Sequence, residues 1–365
     1  MTSNETALPC ETGITSCLLD FIREGHKFLI IGHKEPDGDC IGSQLALNSA
    51  LRRLGKETVL CSPGPFKRAE IKCFEHLFFV PLLDGSNSLK FNGKKVNGRE
   101  FNKQNFIEDD VRVLLLDCST MDRAGELEPY FLGLPMAVID HHAKGDFSQS
   151  GTNDQKSSIP AELCYVEVNA PSTTIMIMKL ISALGLKLTR EEAEFLFFGL
   201  CTDTGFFRFV DDTGAETFEA ATALIRSGAN PKAAFSAIHD GKSLSSRKLL
   251  GQILMRAETF FDGKLILSSE EYDEIRSLGN ESRDSDSLYS LLQTITGVEA
   301  IVIIRQESPG FCTLGFRSHT WVDVGNIASV LGGGGHKNAA AAKLSGTIEE
   351  LKPQIIKAFE QIFKG

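Results

Sequence analysis

Three short apolar segments of this chain each end in side chains that can bind metal ions. These are Asp140, His141 and His142 after MAVI, Asp117 after VRVLLL, and His33, Asp37 and Asp39 in and after KFLIIGH. Continuous apolar runs are typical of strands in a parallel sheet that is covered on both faces. The carboxyl ends of such strands meet at one edge of the sheet, where ligands bind. The pattern therefore predicts an α/β fold with these side chains around one crevice.

Strand and helix patterns continue through the whole chain. In the first half, strands are predicted at 27–33, 58–62, 111–117 and 136–140, and helices at 40–54, 172–184 and 190–201. In the second half, strands are predicted at 298–305 and 311–317, and helices at 323–331, in the Ala-rich segment after His336, and at 347–363. Two polar segments, 84–110 and 143–162, are interpreted as a surface insertion and a loop.

A chain of 365 residues is expected to form two domains. The predicted divisions are a parallel-sheet domain at 15–212, a helical connector at 213–259 and a smaller α/β domain at 260–365. The active site is expected in the cleft between the two domains.

Composition limits the class of protein and its partners. Nine scattered cysteines, with no Cys-x-x-Cys pair, favour reduced thiols in a cytoplasmic protein over a disulfide framework or a thiolate zinc site. The amino terminus shows no signal-peptide pattern, and no apolar run approaches the roughly 20 residues of a membrane span, so no membrane partner is expected. A net charge of −10 disfavours binding to long nucleic acids but allows short nucleotides in a local basic pocket.

Asp203, in the segment CTDTGFFRF, adds a further carboxylate beside an apolar stretch. Carboxylate and imidazole ligands without thiolates suit Mn²⁺ or Mg²⁺ better than structural Zn²⁺. Two such ions about 3.5–4 Å apart can hold the attacking and departing oxygens of a phosphoryl group. The residues therefore indicate a two-metal hydrolase.

Each of these side chains also has a simpler interpretation when it is taken alone. Asp117 and Asp203 could cap helices, Asp37 and Asp39 could form a turn, and a pair of histidines is often ordinary surface or core. Charged groups at three consecutive strand ends would be costly near a core if all were left unpaired. The joint pattern therefore favours the metal site.

The chain resembles the DHH phosphoesterase superfamily. The matching motifs are GHKEPDGDCIGS, LLLDCSTMDR, VIDHH and CTDTGFF, in the family's order, followed by GFRSHTWVDVGNIASVLGGGGHKNAAAA, which is similar to the DHH-associated domain. The resemblance covers nearly the whole chain, and its layout is similar to that of the nano-RNase (oligoribonuclease) and pAp phosphatase group.

The resemblance implies a role for each metal-competent residue. One Mn²⁺ would be held by His33, Asp37 and Asp117, and a second by Asp39, Asp117, His141 and Asp203, with Mg²⁺ as the alternative ion. Asp117 would bridge the two ions. Asp140 would orient a metal-bound histidine, as buried carboxylates do, and His142 would face the scissile phosphate as a hydrogen-bond donor or acid.

The resemblance also implies a substrate site in the second domain. Its residues would be Arg317, Ser318, Gly333, Gly334, Gly335 and His336. Glycines allow backbone N–H groups to approach an anion, and a following helix would add positive potential. An arginine suits a forked phosphate contact; the simpler interpretation of the glycine run is a flexible loop.

Two positions depart from the family pattern. The family often carries Gly after the Ala pair that follows GGGH, where this chain has Ala339 to Ala342. It also often carries Glu after Ser-Thr, where this chain reads Ser172, Thr173, Thr174 and Ile175.

By resemblance, the chain would hydrolyse very short RNA or DNA oligonucleotides to mononucleotides, remove the 3′-phosphate of pAp, or do both. Hydroxide activated by two metals would attack phosphorus. An inorganic pyrophosphatase would have a different second domain, without GGGH. Alternatives are a phosphodiesterase for linear or cyclic dinucleotides, a less favoured RecJ-like single-strand exonuclease and a catalytically inactive nucleotide-binding protein. The last is disfavoured because every candidate ligand is present. A homodimer is left open.

Overall fold

The computed structural model describes residues 13–79, 81–83, 89–91, 110–131, 133–142, 159–279 and 283–363. Most of the predicted insertion at 84–110 and of the predicted loop at 143–162 lies outside the described residues. The structure describes only 89–91 and 110 of the first segment and 159–162 of the second. The chain forms two compact units, Met1–Asp240 and Gly241–Gly365. The boundary between the units falls inside the segment 213–259 that is predicted to be a connector.

The first unit is built on a five-stranded sheet in the order β2-β1-β5-β6-β7, in which every pair of neighbours is parallel. Its strands are β1 Lys27–Ile31, β2 Glu57–Cys61, β5 Val111–Leu116, β6 Met136–Asp140 and β7 Cys164–Val166. A separate antiparallel pair is formed by β3 Pro81–Leu83 and β4 Leu89–Phe91. The predicted parallel sheet is confirmed.

Helices cover this sheet. They are α1 Ser16–Glu24, α2 Gly38–Arg53, α3 Ala69–Lys72, α4 Glu128–Phe131, α5 Thr173–Ala183, α6 Arg190–Asp203, α7 Ala215–Arg226 and α8 Pro231–His239, with 3₁₀ turns at Glu75–Leu77, Met121–Leu127 and Ala161–Leu163. The predicted capping box at the start of α6 is present, since the Thr189 side chain accepts from Glu192 N and the Glu192 side chain accepts from Thr189 N.

The strands are mainly apolar because both faces of the sheet are buried. Ile30 packs in a cluster with α1, α2, α5 and α6, whereas its neighbour Ile31 packs in the opposite cluster with Leu127 and Phe131. All five residues of β6 are buried. Alternate side chains along one strand thus serve two cores, and no polar face remains.

Helices α2 and α6 cross at very short range, and glycines make this approach feasible. A Cβ atom on Gly42 would lie 2.5 Å from the Phe195 carbonyl oxygen, and one on Gly199 would lie 2.9 Å from the Gly38 carbonyl oxygen. Any larger residue at these positions would push the helices apart. The contact matters for the site because α2 begins beside Asp39 and α6 ends at Asp203.

The second unit contains a six-stranded mixed sheet in the order β12-β13-β11-β10-β9-β8. Its strands are β8 Glu258–Phe260, β9 Leu265–Glu270, β10 Ala300–Ser308, β11 Phe311–Ser318, β12 Gly334–His336 and β13 Ala339–Ser345. Its helices are α9 Leu244–Met255, α10 Tyr272–Leu278, α11 Ser285–Gln293, α12 Val324–Val330 and α13 Ile348–Phe363. One face of the sheet packs against α12 and α13, and the other packs against α9, α10 and α11.

The predicted helix after His336 is wrong, because the Ala-rich segment forms strand β13. It pairs antiparallel with both β11 and β12. Ala340 and Ala342 are buried while Ala341 and Lys343 are exposed, which is the two-residue period of a strand. Alanine favours helices locally, but pairing on both sides of β13 overrides that preference.

Among the described residues, no helix is both long enough and apolar enough to span a membrane.

Candidate metal centre

The predicted ligands of the first unit gather at the carboxyl edge of its sheet. His33 follows β1, Asp117 follows β5 and His141 follows β6, and these three strands are adjacent. Between β1 and β5 the strand order changes direction, since β2 lies on one side of β1 and β5 to β7 lie on the other. Crevices at such switch points are the usual ligand sites of open parallel sheets.

Asp117 is buried and has the left-handed backbone angle φ of 59°. Aspartate tolerates this conformation better than most residues do. One carboxylate oxygen, Oδ1, accepts a hydrogen bond of 2.9 Å from the Thr173 hydroxyl. The other, Oδ2, lies 3.4 Å from His33 Nε2. The two oxygens of one carboxylate therefore face different partners.

His141 carries the strongest sign of a cation. Its Nδ1 lies 3.1 Å from the Ala170 carbonyl oxygen, which can only accept, so Nδ1 bears the proton. Its Nε2 lies 3.6 Å from Asp117, 3.7 Å from Asp203 and 3.8 Å from Asp39, measured to the nearest carboxylate oxygens. In the neutral ring a lone pair would face three carboxylates. A metal ion among these oxygens would satisfy every group.

His33 repeats the arrangement on the other side of Asp117. Its Nδ1 donates to the Lys34 carbonyl oxygen at 2.9 Å, and its Nε2 lies 3.9 Å from Asp37 as well as close to Asp117. Burial lowers the pKa of His33, but the carboxylates of Asp117 and Asp37 outweigh burial and raise the pKa to about 10. Without a metal, a proton would take the cation's place.

Asp37 also starts helix α2, where its side chain accepts from Cys40 N at 3.1 Å. Burial disfavours its charge, but the hydrogen bond and charge of His33 lower the pKa of Asp37 below its usual range.

Asp39 is held by the amino-terminal end of helix α5. Its two carboxylate oxygens accept from Thr173 N at 2.7 Å and Thr174 N at 2.9 Å. Burial, together with the charges of Asp117 and Asp203, nevertheless raises the pKa of Asp39 well above its usual value. The carboxylates repel one another here, and a cation would relieve that repulsion.

Asp203 closes the group from the last residue of helix α6. Burial raises its pKa to about 6; the nearby charge of His141 works in the opposite direction. The Asp203 side chain is 30% exposed, so this edge of the site is open to solvent.

Asp140 serves His142 rather than His141. Asp140 Oδ1 accepts from His142 N at 3.1 Å and from His142 Nδ1 at 2.8 Å. This hydrogen bond raises the pKa of His142. The sequence predicts that Asp140 supports a metal-bound histidine. In the structure Asp140 supports its half-exposed neighbour His142, and the Ala170 carbonyl orients His141.

Within the part of the chain that the structure describes, three overlapping sets of donor atoms lie close enough together to bind an ion. They are His33, Cys40 and Asp117; Asp117, His141 and His142; and Asp39, His141 and Asp203. Oxygen and imidazole donors dominate, which fits Mn²⁺ or Mg²⁺. The Cys40 thiol is buried and its pKa is raised well above the usual value, mainly by burial, so it is a poor ligand.

Sequence reasoning missed Thr173 and Ala170. Thr173 contacts two ligands at once, Asp39 through its N–H and Asp117 through its hydroxyl. A signal was present, since Thr173 and Thr174 stand at the start of the predicted helix 172–184, where the first backbone N–H groups have no partner within the helix. The backbone carbonyl of Ala170 leaves no trace in the sequence.

In the second unit, Arg317 and His336 lie in one row across the sheet, on either side of Ala339. Arg317 pairs with Ala339 of β13, and Ala339 pairs with His336 of β12, so the three residues form one row on the same face. The guanidinium of Arg317 lies 4.7 Å from the centre of the Tyr289 ring and donates to the Phe316 carbonyl oxygen. The short side chain of Ala339 leaves space between the two larger ones.

Ser318 and the glycines have structural roles in this unit. Ser318 is buried and its hydroxyl donates to the Lys337 carbonyl oxygen at 3.2 Å. A Cβ atom on Gly333 would lie 2.2 Å from the Ala341 carbonyl oxygen, and one on Gly335 would lie 2.5 Å from Ala340 Cα. The glycines, including Gly334 in β12, thus lie against a strand and not at a helix start.

Comparison with known proteins agrees with both units. The sequence model of the DHH family, N-terminal domain, matches residues 27–200, and that of the DHHA1 domain matches residues 267–365. A bifunctional oligoribonuclease and PAP phosphatase, NrnA, from Thermus thermophilus is 30% identical over 322 residues, 87% of this chain and 84% of that protein.

A cyclic-di-AMP phosphodiesterase, GdpP, from Geobacillus thermodenitrificans is 27% identical over 361 residues, 96% of this chain and 50% of that protein. This chain therefore spans about half the length of that relative. The crystal structure of an exopolyphosphatase-related protein from Bacteroides fragilis superposes with a TM-score of 0.73 at 22% identity, covering 96% of this chain and 99% of that one. These similarities and the motifs at the sheet edge show that the chain belongs to the DHH family of phosphoesterases, with a carboxyl-terminal DHHA1 domain.

Proposed function

We propose that this protein is a divalent-metal-dependent phosphohydrolase that cleaves very short oligonucleotides to mononucleotides and removes the 3′-phosphate of pAp. One observation carries the proposal. The Nε2 atom of His141 faces carboxylates from Asp39, Asp117 and Asp203, which come from three different elements, while its Nδ1 is committed to a carbonyl. The named activities of NrnA from Thermus thermophilus support the choice of substrates.

The geometry at Asp117 supports two ions rather than one. Its Oδ2 is the oxygen near His33, and its Oδ1 is the oxygen near His141. One ion would take His33, Asp37 and Asp117, and the other would take Asp39, Asp117, His141 and Asp203. When bound, the ions would supply positive charge that favours attack by water on phosphorus and stabilises the phosphoryl oxygens.

His142 is the proposed contact to the substrate. Its Nδ1 is held by buried Asp140, so the ring orientation is fixed and Nε2 is left for another partner. Its raised pKa keeps more of the ring protonated near neutral pH. A protonated ring can donate to a phosphate oxygen or give its proton to the leaving oxygen.

Arg317 and His336 are the proposed contacts to the substrate in the DHHA1 domain. Arg317 presents a planar cation beside a space kept open by Ala339, which suits a terminal phosphate or a base. Ser318 and the three glycines would shape that surface and would not bind the substrate through a helix end.

The test is a comparison of kcat/KM for purified protein with Mn²⁺ on labelled RNA and DNA of two to twenty residues, pAp, cyclic-di-AMP and pyrophosphate. We expect the highest values for dinucleotides or pAp, loss of activity in chelator, and recovery with Mn²⁺. Full activity in chelator would contradict the proposed role of divalent metal ions. A preference for the twenty-residue strands would contradict the proposed substrate size.

A second candidate is hydrolysis of cyclic-di-AMP, supported by the similarity to GdpP over 96% of this chain. The same panel separates the two. A kcat/KM for cyclic-di-AMP above that for the linear dinucleotide pApA would favour the second candidate.

A further inference from the structure

The turn directly after Asp203 has an unusual backbone. Gly205, Phe206 and Phe207 have φ angles of 57°, 55° and 70°, so three consecutive residues are left-handed. Glycine adopts this conformation freely, but it is strained for bulky side chains such as phenylalanine. Strain of this kind is retained where the surrounding structure enforces it, and it concentrates at functional sites.

The hydrogen bonds of the turn show how the strain is maintained. Phe206 N donates to the Cys201 carbonyl at 2.7 Å, and Phe209 N donates to the Thr204 carbonyl at 3.1 Å. The Thr204 hydroxyl accepts from Phe207 N at 3.1 Å and donates to the Leu200 carbonyl. The turn is thereby fixed to the last turn of helix α6, which carries Asp203.

The rings of Phe206 and Phe207 anchor the turn to the fold. Phe207 lies 6.3 Å from buried Phe197 and stacks at 5.3 Å on Phe218, and Phe206 lies 5.2 Å from Phe235, all measured between ring centres. Both rings pack against the main core of the first unit.

The next two residues, Arg208 and Phe209, are exposed to solvent. Phe209 is 71% exposed. Arg208 is exposed beside it, and its guanidinium carbon lies 5.8 Å from the centre of the Phe209 ring. One side of the Phe209 ring lies across Gly205, where a Cβ atom would come within 2.4 Å of it. Gly205 is two residues from Asp203, so their Cα atoms are separated by about 7 Å at most. The strained turn thus places an exposed aromatic ring against Gly205, which is two residues from the candidate metal ligand Asp203.

A ring exposed to this extent adds little to the stability of the core. The chain carries a net charge of −10, yet this ring is paired with a cation. A flat apolar face beside a positive charge matches a nucleobase attached to a phosphate, because bases stack on aromatic rings and arginine attracts the backbone.

We propose that Phe209 is a stacking platform for a nucleobase of the substrate, with Arg208 beside it as the cation that attracts the neighbouring phosphate. This inference rests on the proposed function, since it assigns a subsite to the same metal centre. Stacking does not depend on base identity, so the platform would recognise that a base is present and not which base it is.

The test compares three substrates in four proteins. The substrates are a dinucleotide and the same dinucleotide with an abasic sugar at one position or the other. The proteins are the wild type, Phe209→Ala, Phe209→Trp and the matched control Phe311→Ala, which removes an exposed phenylalanine ring from the second unit. KM and kcat are measured with Mn²⁺, and thermal unfolding and molecular mass are measured for every variant.

We expect Phe209→Ala to raise KM for the full dinucleotide about 5- to 100-fold, the range for loss of one stacked base. Phe209→Trp should stay near the wild type, and Phe311→Ala should leave KM unchanged. The penalty for removing the base should shrink in Phe209→Ala at one of the two abasic positions.

Several outcomes would overturn the inference. They are an unchanged KM in Phe209→Ala, an equal loss on full and abasic substrates, or a change in molecular mass, which would assign the ring to contact between chains. If the wild type cleaves no nucleotide at all, the proposed function itself fails, which is a different result from an active wild type with an unaffected variant.

Discussion

The carboxyl edge of the first sheet and the Arg317–His336 row of the second sheet are built in opposite ways. At the first, Asp39, Asp117 and His33 are buried, and each is fixed by a backbone or hydroxyl group. At the second, His336 is exposed, and Arg317 is held by its own strand and the Tyr289 ring.

The difference follows from the charges. Carboxylates this close together repel one another, and a cation or bound protons must offset that repulsion. Fixed ligands place several negative oxygens around one point, which suits a metal ion. The second region carries the positive charge of Arg317 itself and needs no ion, and its exposed side chains can adapt to an anionic substrate. We therefore expect changes at the first region to alter metal binding and kcat, and changes at the second to alter mainly KM.

The strongest test of this contrast is Asp117→Asn. The change keeps the shape but removes the charge that both proposed ions share, so kcat/KM should fall at least about 10³-fold because several kcal/mol of charge stabilisation are lost. Bound metal, measured by elemental analysis, should fall as well. A variant with normal metal content and turnover would contradict the role of Asp117.

Arg317→Ala tests the second region. Loss of a charge-assisted contact of about 1.5–3 kcal/mol should raise KM for the dinucleotide about 10- to 100-fold with little change in kcat. Arg317→Lys should recover only part of the loss, because lysine cannot reproduce the planar contact over Tyr289. Steady-state kinetics and metal content check both points; a fall in bound metal would break the contrast between the regions.

Thr173→Val probes how firmly the first region is set. The variant removes the hydroxyl that donates to Asp117 at 2.9 Å and keeps the N–H that donates to Asp39. Metal affinity should fall about 10- to 100-fold, as it does for other groups that orient ligands. Thr173→Ser is the matched control and should bind metal as the wild type does. Calorimetric titration with Mn²⁺ distinguishes them, and equal affinities for all three proteins would contradict the role.

The smallest expected effect is a pH dependence of the metal-free protein. The pKa of Asp203 is raised to about 6 from an ordinary value of 3.8, so the folded state holds its proton more tightly than the unfolded state. Ionisation between about pH 4 and pH 6 therefore lowers the free energy of unfolding, by about 1–3 kcal/mol after allowance for partial exposure.

Urea unfolding in chelator checks this dependence, with Asp203→Asn as the control. The stability of the wild type relative to this variant should decline as pH rises through that window, and Mn²⁺ should reverse the decline. A stability difference that stays constant with pH would show that folding does not raise the pKa of Asp203.

The sequence predicted the parts of the fold that depend on local pattern. Long apolar runs such as 111–117 and 136–140 identify buried parallel strands, and residues at their ends identify the crevice. The Ala-rich segment was misjudged because its strand conformation depends on pairing with β11 and β12, which residue preference does not reveal. For the same reason the partner of Asp140 could not be predicted, since Asp140 lies next to two histidines and only the coordinates show that it bonds to His142.

The glycine contact between helices α2 and α6 has a consequence for the kind of ion the protein accepts. Asp39 stands in the first turn of one helix and Asp203 at the end of the other, and the backbones already touch at Gly42 and Gly199. The helices cannot move closer, and widening the gap would break their packing. The backbone thereby limits the width of the proposed metal site, so we expect small ions such as Mn²⁺ and Mg²⁺ to bind better than Ca²⁺, whose longer bonds to oxygen need a wider site.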